Sequence, residues 1–356
     1  MSLQVADRMT LNPLIGLMKG LLVFLLCLPF PLLLLCELWM PPKAAWGEPA
    51  PHPNVTVLLW HWPFGVALDL EGDVCLKRYN VSSCRLRSDR STFATADVVV
   101  FHNRELVRGL QALPLVLPRP QGQRWVWMSL ESPPNNGDLR PFADLFNLTM
   151  SYRRDADIHI PYGKLVPRGP GDGEEPVLHN KSVPVCWVVS SYRPDHRRSR
   201  LYAQLIDSVP VTVYGRWNHK ALSPEDLLPT ISQCYFYLAF ENSESRDYIT
   251  EKLWRNAYQS GAVPVVLGPP LKDYKAVAPR SSFIHVDEFA SVGELGRRLR
   301  ELVSDEESYS HFLGWQKEWR VKQYTDWRER LCSICSQHDS LPKHKIYTDL
   351  EAWVNV

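Results

Sequence analysis

The sequence of 356 residues has no excess charge of either sign: 40 lysines and arginines stand against 39 aspartates and glutamates, for a formal net charge of +1. That balance excludes a chain built mainly to bind a polyanion, so neither nucleic acid nor an anionic lipid surface is the expected partner. No internal repeat runs through it, which excludes a repeat array. The CxxC at Cys332 and Cys335 lacks two further ligands at matching spacing, and only the distant Cys75 and Cys84 could complete a zinc site. Long charge-free apolar stretches are also missing, with one exception near the N-terminus. What is present is an ordinary globular composition, 45% hydrophobic and 22% charged, long enough for two domains with a substantial core.

The exception is GLLVFLLCLPFPLLLLC, residues 20–36, bounded by Lys19 and Glu37. It reaches the short end of what a membrane-spanning helix needs, and Pro29 and Pro31 are tolerated in such helices. A cleaved signal peptide would have a shorter apolar core and a small-residue cleavage site, which the following MPPKAAWGEP does not supply. The expected organisation is therefore a cytoplasmic tail over 1–19, a signal anchor over 20–38 and a stem over 39–53 stiffened by five prolines. Arg8 and Lys19 hold the tail in the cytosol and leave the remainder lumenal. Sequons at Asn54, Asn80, Asn147 and Asn180, all beyond the anchor, agree with that topology. So do the cysteines: the close pairs Cys75/Cys84 and Cys332/Cys335 read as disulfides closing short loops, with a redox CxxC or half a zinc site as the other reading of the second pair. Cys186 and Cys234 sit in apolar runs and read as buried thiols.

Beyond the stem, short apolar runs at 55–60, 97–101, 125–129 and 157–160 read as strands, and 168–176 (RGPGDGEEP) as a linker. Strands then alternate with helices: strands at 185–190, 211–215, 235–240, 263–268 and 283–286, helices at 195–207, 247–260, 291–303 and 306–330. The alternation predicts parallel sheets in two doubly wound α/β domains, 54–180 and 181–356, with the ligand in the cleft outside the carboxyl ends of the strands.

The densest chemistry lies in YFYLAFENSESRDYITEKLWRNAYQSGAVPVVLG, residues 235–268. A buried strand ends in a polar loop, Asp247 is placed to cap a helix and Gly261 to end it. Glu251 and Lys252 fall in the first turn, where free N–H groups and a partial positive charge suit a phosphate. Arg193, Arg197, Arg198 and Arg200 form a second basic set. Most of them belong to a solvated face, and one turned into the cleft would neutralise a diphosphate. The strand over 125–129 runs into Glu131 and Ser-Pro-Pro; a carboxylate in such a loop is where a general base is placed, though surface glutamates are common. Asp155-Ala156-Asp157 has the form that chelates a divalent cation, but beside Arg153 and Arg154 it reads first as a salt-bridged pair.

The segments LLWHWPF (58–64), DVVVFHNREL (97–106), ESPPN (131–135), SYRRDADIHIPYG (151–163), FENSESRDYITEKLWRNA (240–257) and VPVVLGPP (263–270) together resemble the animal alpha-1,3-fucosyltransferases. The ending YTDWRERLCSIC (324–335) resembles the type VII branch of that family. The resemblance implies two Rossmann-like domains in the GT-B arrangement behind a Golgi membrane anchor, an inverting transfer from GDP-fucose and no obligatory metal. By the same resemblance Glu131 is the base, and Lys252 and Arg198 hold the diphosphate. Asn242, Tyr248, Glu251 and Ser190 contact the sugar nucleotide, and Arg104 and Glu105 meet the acceptor. That acceptor is O3 of N-acetylglucosamine in sialylated Galβ1-4GlcNAc glycans on glycoproteins or glycolipids, and the disulfides are Cys75–Cys84 and Cys332–Cys335. Where the branch carries a further CxxC, this chain reads Ser223-Pro224-Glu225-Asp226. Two rivals predict different behaviour: a metal-dependent transferase using Asp155 and Asp157, and a lumenal glycan-binding protein without catalysis.

Overall fold

The valine-rich run at Val98–His102 and the tryptophan-rich run at Arg124–Ser129 are buried at every position, as strands covered on both faces must be. The computed structural model describes residues 54–169, 171 and 181–356; the expected anchor, the stem, the sequon at Asn180 and most of the linker lie outside them. In the first half β1 (Val55–Leu59), β2 (Cys84–Arg87), β3 (Val98–His102), β4 (Arg124–Ser129), β5 (Leu148–Ser151) and β6 (Ile158–His159) form one parallel sheet ordered β2-β1-β3-β4-β5-β6. After β7 (Gly163–Pro167), β8 (Val183–Val188), β9 (Val211–Tyr214), β10 (Cys234–Phe240), β11 (Val263–Leu267) and β12 (Ile284–His285) form a second parallel sheet ordered β12-β11-β10-β8-β9. Each sheet therefore winds in two directions from a switch point, β1/β3 in the first and β8/β10 in the second. The crevices outside the carboxyl ends at these points are the places for ligands.

Alternation along the strands divides the side chains between two faces. Val57, Leu59, Val98, Val100 and Met128 enter one core of the first sheet, and Leu58, Trp60, Val99, Phe101 and Trp127 the other. The crossovers carry the short helices α1 (Val74–Tyr79) and α2 (Asn103–Val107) in the first half, and α3 (Arg197–Leu205) and α4 (Pro224–Ser232) in the second. A π-helix (Lys252–Gln259), α5 (Leu271–Lys275) and α6 (Val292–Ser304) follow, α6 being capped by Ser291. Ser223, where a cysteine was expected, caps α4: its hydroxyl accepts from the Asp226 N–H at 3.1 Å, so a polar cap holds that loop.

The C-terminal segment departs from expectation. Instead of one helix over 306–330 the chain forms α7 (Glu306–His311), β13 (Trp319–Gln323) and α8 (Trp327–Gln337). β13 pairs antiparallel with β7, and Leu165, Trp319 and Val321 of this ribbon pack on the core of the second sheet. At Gly163 the ribbon meets the π-helix so closely that a Cβ there would lie 2.6 Å from Trp254. The chain then returns to the first half, where Leu331, Cys332 and Ile334 of α8 pack beside β1 and β2, and Tyr347, Leu350 and Val354 cover the opposite face. The last thirty or so residues therefore pack on the first sheet.

That return also corrects the cysteines. Cys332 and Cys335 lie one turn apart on α8 and face α1 and β2, so the bonds are Cys75–Cys332 and Cys84–Cys335, not the two short loops. Cys186 and Cys234 are not free thiols: they sit on adjacent strands β8 and β10 with Cα atoms 5.9 Å apart and form a third disulfide. The sulfur cluster of Cys75, Cys84 and Cys332 is accounted for by these bonds.

Asp326 ties α8 to α1 as well: it accepts from the Arg328 N–H at 2.9 Å and from the Tyr79 hydroxyl at 2.6 Å. Burial alone would raise its carboxyl, but the bonds from Arg328 and Tyr79 outweigh that and bring it down to about 2. A depressed carboxyl contributes stability above its unfolded value near 4 that is lost as pH falls through the folded one. Asp326→Asn is therefore expected to cost about 1–2 kcal/mol at pH 7. The difference should shrink toward zero as pH falls toward 2, read from unfolding midpoints across that range. An undiminished difference at low pH would mean that the charge of Asp326 is not what holds α8.

Among the described residues no helix is long and apolar enough to cross a membrane. Asn54 and Asn80 are exposed. Asn147, expected to accept a glycan, has its amide taken up inside the fold: Oδ1 accepts from the Trp125 N–H at 2.8 Å and from Arg119, and Nδ2 donates to the Lys345 carbonyl at 2.9 Å.

Candidate active site

The carboxyl end of β4 carries Glu131, half-buried on the loop that leads into Pro133–Asn135. The loop is fixed from below: the Glu131 N–H donates to the Ser129 hydroxyl, and the Asn136 amide donates to the Glu131 carbonyl. Among the described residues its carboxylate has no hydrogen bond or ion pair. Its charge is felt by the Tyr162 phenol and, from the second half, by Tyr248. Tyr162 donates to the Leu130 carbonyl at 2.7 Å, and its ring lies 6.2 Å from that of Tyr248, so Glu131 and Tyr248 stand on either side of one cleft.

Across the cleft, the second half presents the groups that follow β8 and β10. Arg198, the second residue of α3, is buried; it donates to the Ser191 carbonyl at 2.6 Å while its Nε finds no partner among the described residues. Burial lowers its pKa, partly offset by the charge of Glu241. Arg198, Glu241 and Asn242 line a cavity of about 160 Å³. Lys252 opens the π-helix, its ammonium bound to Glu241 at 2.9 Å, to the Thr250 hydroxyl at 2.8 Å and to Glu251 at 3.2 Å. Burial acts to lower its pKa, but the charges of Glu241 and Glu251 outweigh it, so Lys252 is held as a cation. Gly268, at the end of β11, leaves room beside Glu241, where a Cβ would lie 2.9 Å from that side chain.

The structure thus brings Arg198 and Asn242 onto one cavity, joins Lys252 to it through Glu241, and sets Tyr248 within reach of the Glu131 charge, while Glu251 and Ser190 are exposed. Two members escaped the sequence reading: Glu241, a wholly buried carboxylate continuing an apolar strand, and Thr250, whose N–H and hydroxyl both donate to it. A charged residue directly after seven strand positions was the available signal. The expected capping role of Asp247 is corrected: it lies in the left-handed region at φ 58°, outside the helix, with its carboxylate bound to Arg154. A larger cavity of about 910 Å³, beside Tyr258, Trp315 and Lys317, contains none of the expected site residues.

On the first half's own switch point, Arg104 lays its guanidinium over the Phe64 ring, 4.6 Å from the centroid, and makes no ion pair among the described residues. Glu105, expected to face the acceptor, is turned inward instead: it accepts from the Phe64 N–H at 2.9 Å and from His102 Nδ1. His61 packs against this pair with Nε2 donating to the His102 carbonyl, and burial lowers its pKa. The Asp155–Asp157 pair does not converge on a common point. Asp155 is bridged to Arg153 and Arg246 at 2.8 and 3.2 Å, and Asp157 to Lys345 at 2.7 Å and the Tyr347 hydroxyl at 2.8 Å. The salt-bridged reading, preferred from the sequence, is the one that this geometry matches.

Two doubly wound halves with cations on one side of the cleft and an unpaired carboxylate on the other define a glycosyltransferase of the GT-B type. A solved structure of an alpha1,3-fucosyltransferase with GDP-fucose shares this fold at a TM-score of 0.51 and 19% identity, over 88% of this chain and 97% of that one. Residues 52–163 match the N-terminal fucosyltransferase profile, and residues 178–353 match that of the glycosyltransferase family 10 (fucosyltransferase) C-terminal region. The chain is 48% identical to alpha-(1,3)-fucosyltransferase 7 of Rattus norvegicus, over 88% of its own length and 84% of the relative's. It is 47% identical to the Homo sapiens protein of that name, over 89% and 91%. A Bos taurus 4-galactosyl-N-acetylglucosaminide 3-alpha-L-fucosyltransferase 9 is 40% identical over 84% and 82%. The chain belongs to glycosyltransferase family 10, the fucosyltransferases, and is an enzyme.

Proposed function

We propose that the protein is an inverting alpha-1,3-fucosyltransferase that uses GDP-fucose and acts on O3 of N-acetylglucosamine in Galβ1-4GlcNAc glycans, preferring sialylated ones. The observation that carries this reading is the buried guanidinium of Arg198, whose Nε lacks a partner among the described residues beside a cavity shared with Glu241 and Asn242. A buried donor without an acceptor is costly, and a diphosphate oxygen would satisfy it. Lys252 adds a second cation, so two protein charges stabilise the leaving GDP and no divalent metal is needed for the step. The O3–C1 bond forms as the bond from C1 to the diphosphate breaks. Glu131 takes the hydroxyl proton, and attack on the face opposite GDP inverts the anomeric centre.

Arg104 supports the linkage preference: a cation stacked on Phe64 offers charge and hydrogen-bond donors where a flat apolar side chain would not. The sialylated acceptor and the sialyl-Lewis x product rest on the likeness to relatives named alpha-(1,3)-fucosyltransferase 7. We place the enzyme in the Golgi membrane as a single-pass protein anchored by 20–38 with its catalytic part lumenal, supported by the apolar run, the exposed Asn54 and Asn80 and the three disulfides. The test is to give the full chain GDP-fucose with sialylated and unsialylated acceptors of both linkages. Transfer to the Galβ1-4 series, faster when sialylated, is expected. Faster transfer to the Galβ1-3 series would refute the role of Arg104, and equal rates with and without sialic acid would refute the sialic-acid preference.

A further inference from the structure

The two halves meet next to the cleft through charge. Arg154, on the turn between β5 and β6, donates from Nε to Asp247 at 2.6 Å and from Nη2 to Asp273 at 2.9 Å, and its backbone N–H donates to the second oxygen of Asp247 at 3.1 Å. Both carboxylates belong to the second half and are 3% and 1% exposed. They are also joined to each other, since the Asp247 N–H donates to Asp273 at 3.1 Å. Arg246 extends the set by reaching back to Asp155 of the first half at 3.2 Å. One guanidinium thus holds together two buried anions from separate elements, the loop after β10 and α5 after β11. A cavity of about 490 Å³ lined by Tyr152, Arg154, His159 and Trp254 opens beside it.

What the clamp holds lies one residue away. Asp247 is fixed in the left-handed region, a conformation that costs a non-glycine residue energy and persists where its surroundings over-determine it. That turn sends the next side chain, Tyr248, against Tyr152 and Tyr162 of the first half at 5.0 and 6.2 Å between ring centres. Tyr162 in turn holds the Leu130 carbonyl, adjacent to Glu131. A continuous chain of contacts therefore runs from Arg154 through Asp247, Tyr248 and Tyr162 to the loop of the base.

We propose that Arg154 is a positioning residue: by bridging Asp247 and Asp273 it sets the spacing between Glu131 on one half and the donor-binding groups on the other. The proposal rests on the reading of Glu131 as base and of Arg198 and Lys252 as the donor site. Arg154 is not among the residues that line the cavity of Arg198, Glu241 and Asn242, so its removal is expected to change alignment and not donor affinity. A misplacement of about 1 Å can lower a reaction on the order of a hundredfold.

The experiment measures three quantities in the full chain: transfer to a glycan acceptor, hydrolysis of GDP-fucose by water, and GDP affinity. Arg154→Ala is expected to lower transfer by about tenfold or more. Its GDP affinity should stay within about twofold, because a displaced base leaves the diphosphate contacts in place. The ratio of hydrolysis to transfer should rise, because water needs less exact placement than a sugar hydroxyl. Arg154→Lys keeps the charge but cannot fork to two carboxylates, and should recover only part of the loss. If Arg154→Ala does not fold, Arg154→Lys and Asp273→Asn decide the matter by the same ratio. Unchanged transfer in the folded variants, or transfer and GDP affinity falling together at a constant ratio, would overturn the clamp. A wild-type chain that releases no GDP from GDP-fucose would overturn the functional reading instead.

Discussion

Glutamine at position 131 is expected to leave donor binding nearly intact while turnover falls by at least about two orders of magnitude, the scale of general-base catalysis. The substitution keeps shape and hydrogen-bonding reach but removes the only proton acceptor proposed for the attacking hydroxyl. The structure makes it a clean test. The Glu131 carboxylate has no partner among the described residues, and its loop is held through the main-chain bonds to Ser129 and Asn136, so Glu131→Gln breaks nothing structural. GDP binding by calorimetry and single-turnover transfer separate the two effects. A variant that kept more than about a tenth of wild-type turnover would assign the proton to another group.

Arg198→Ala and Lys252→Ala are both expected to weaken the donor and slow the reaction, but with different effects on stability. A charge-assisted hydrogen bond is worth about 1.5–3 kcal/mol, so each loss should raise the donor KM by roughly one to two orders of magnitude. Among the described residues Arg198 hydrogen-bonds only the Ser191 carbonyl and leaves Nε unpaired, so its removal should barely move the unfolding midpoint. Lys252 neutralises Glu241, which is wholly buried. Taking it away leaves an uncompensated anion, and breaking such a pair typically costs about 3–5 kcal/mol. Lys252→Ala should therefore lose both donor affinity and thermal stability, and Glu241→Gln placed on top of it should restore stability alone. EDTA should leave the wild-type rate nearly unchanged. An unaltered donor KM in both variants, or a rate abolished by EDTA and restored by manganese, would remove these cations from the proposed role.

Much of the site was legible because each group advertises itself locally. Glu131 is the first charge after a strand with an apolar interior, Lys252 opens the helix that follows another, and Arg198 sits in the first helical turn after a third. In a doubly wound domain such positions necessarily gather at the carboxyl edge of a sheet. The same logic would have found Glu241, which follows β10 immediately. Asp247 was misread because an aspartate ahead of a helical pattern ordinarily caps it, and nothing local reveals that its charge is claimed by Arg154, 93 residues away in sequence. The helix expected over 306–330 failed for a similar reason. Trp319–Gln323 becomes a strand because β7 offers it a partner, and short segments of mixed pattern follow the partner rather than their own propensity.

By itself the sequence determined the strand–helix alternation, the parallel sheets it entails, and which residue types stand at the ends of which strands. These follow from periodicity and from the right-handed crossover that joins parallel neighbours, both short-range consequences of the chain. Only the tertiary structure decided which groups are shared between distant segments: Cys75 with Cys332, Cys84 with Cys335, Arg154 with Asp247 and Asp273, and the return of α8 to the first half. A cysteine or a buried charge is satisfied by any partner of the right chemistry. Proximity along the chain favours the near one only while the chain is open. Once the sheets have packed, distance in space replaces distance in sequence, and the partner is the group that the fold has already brought within reach.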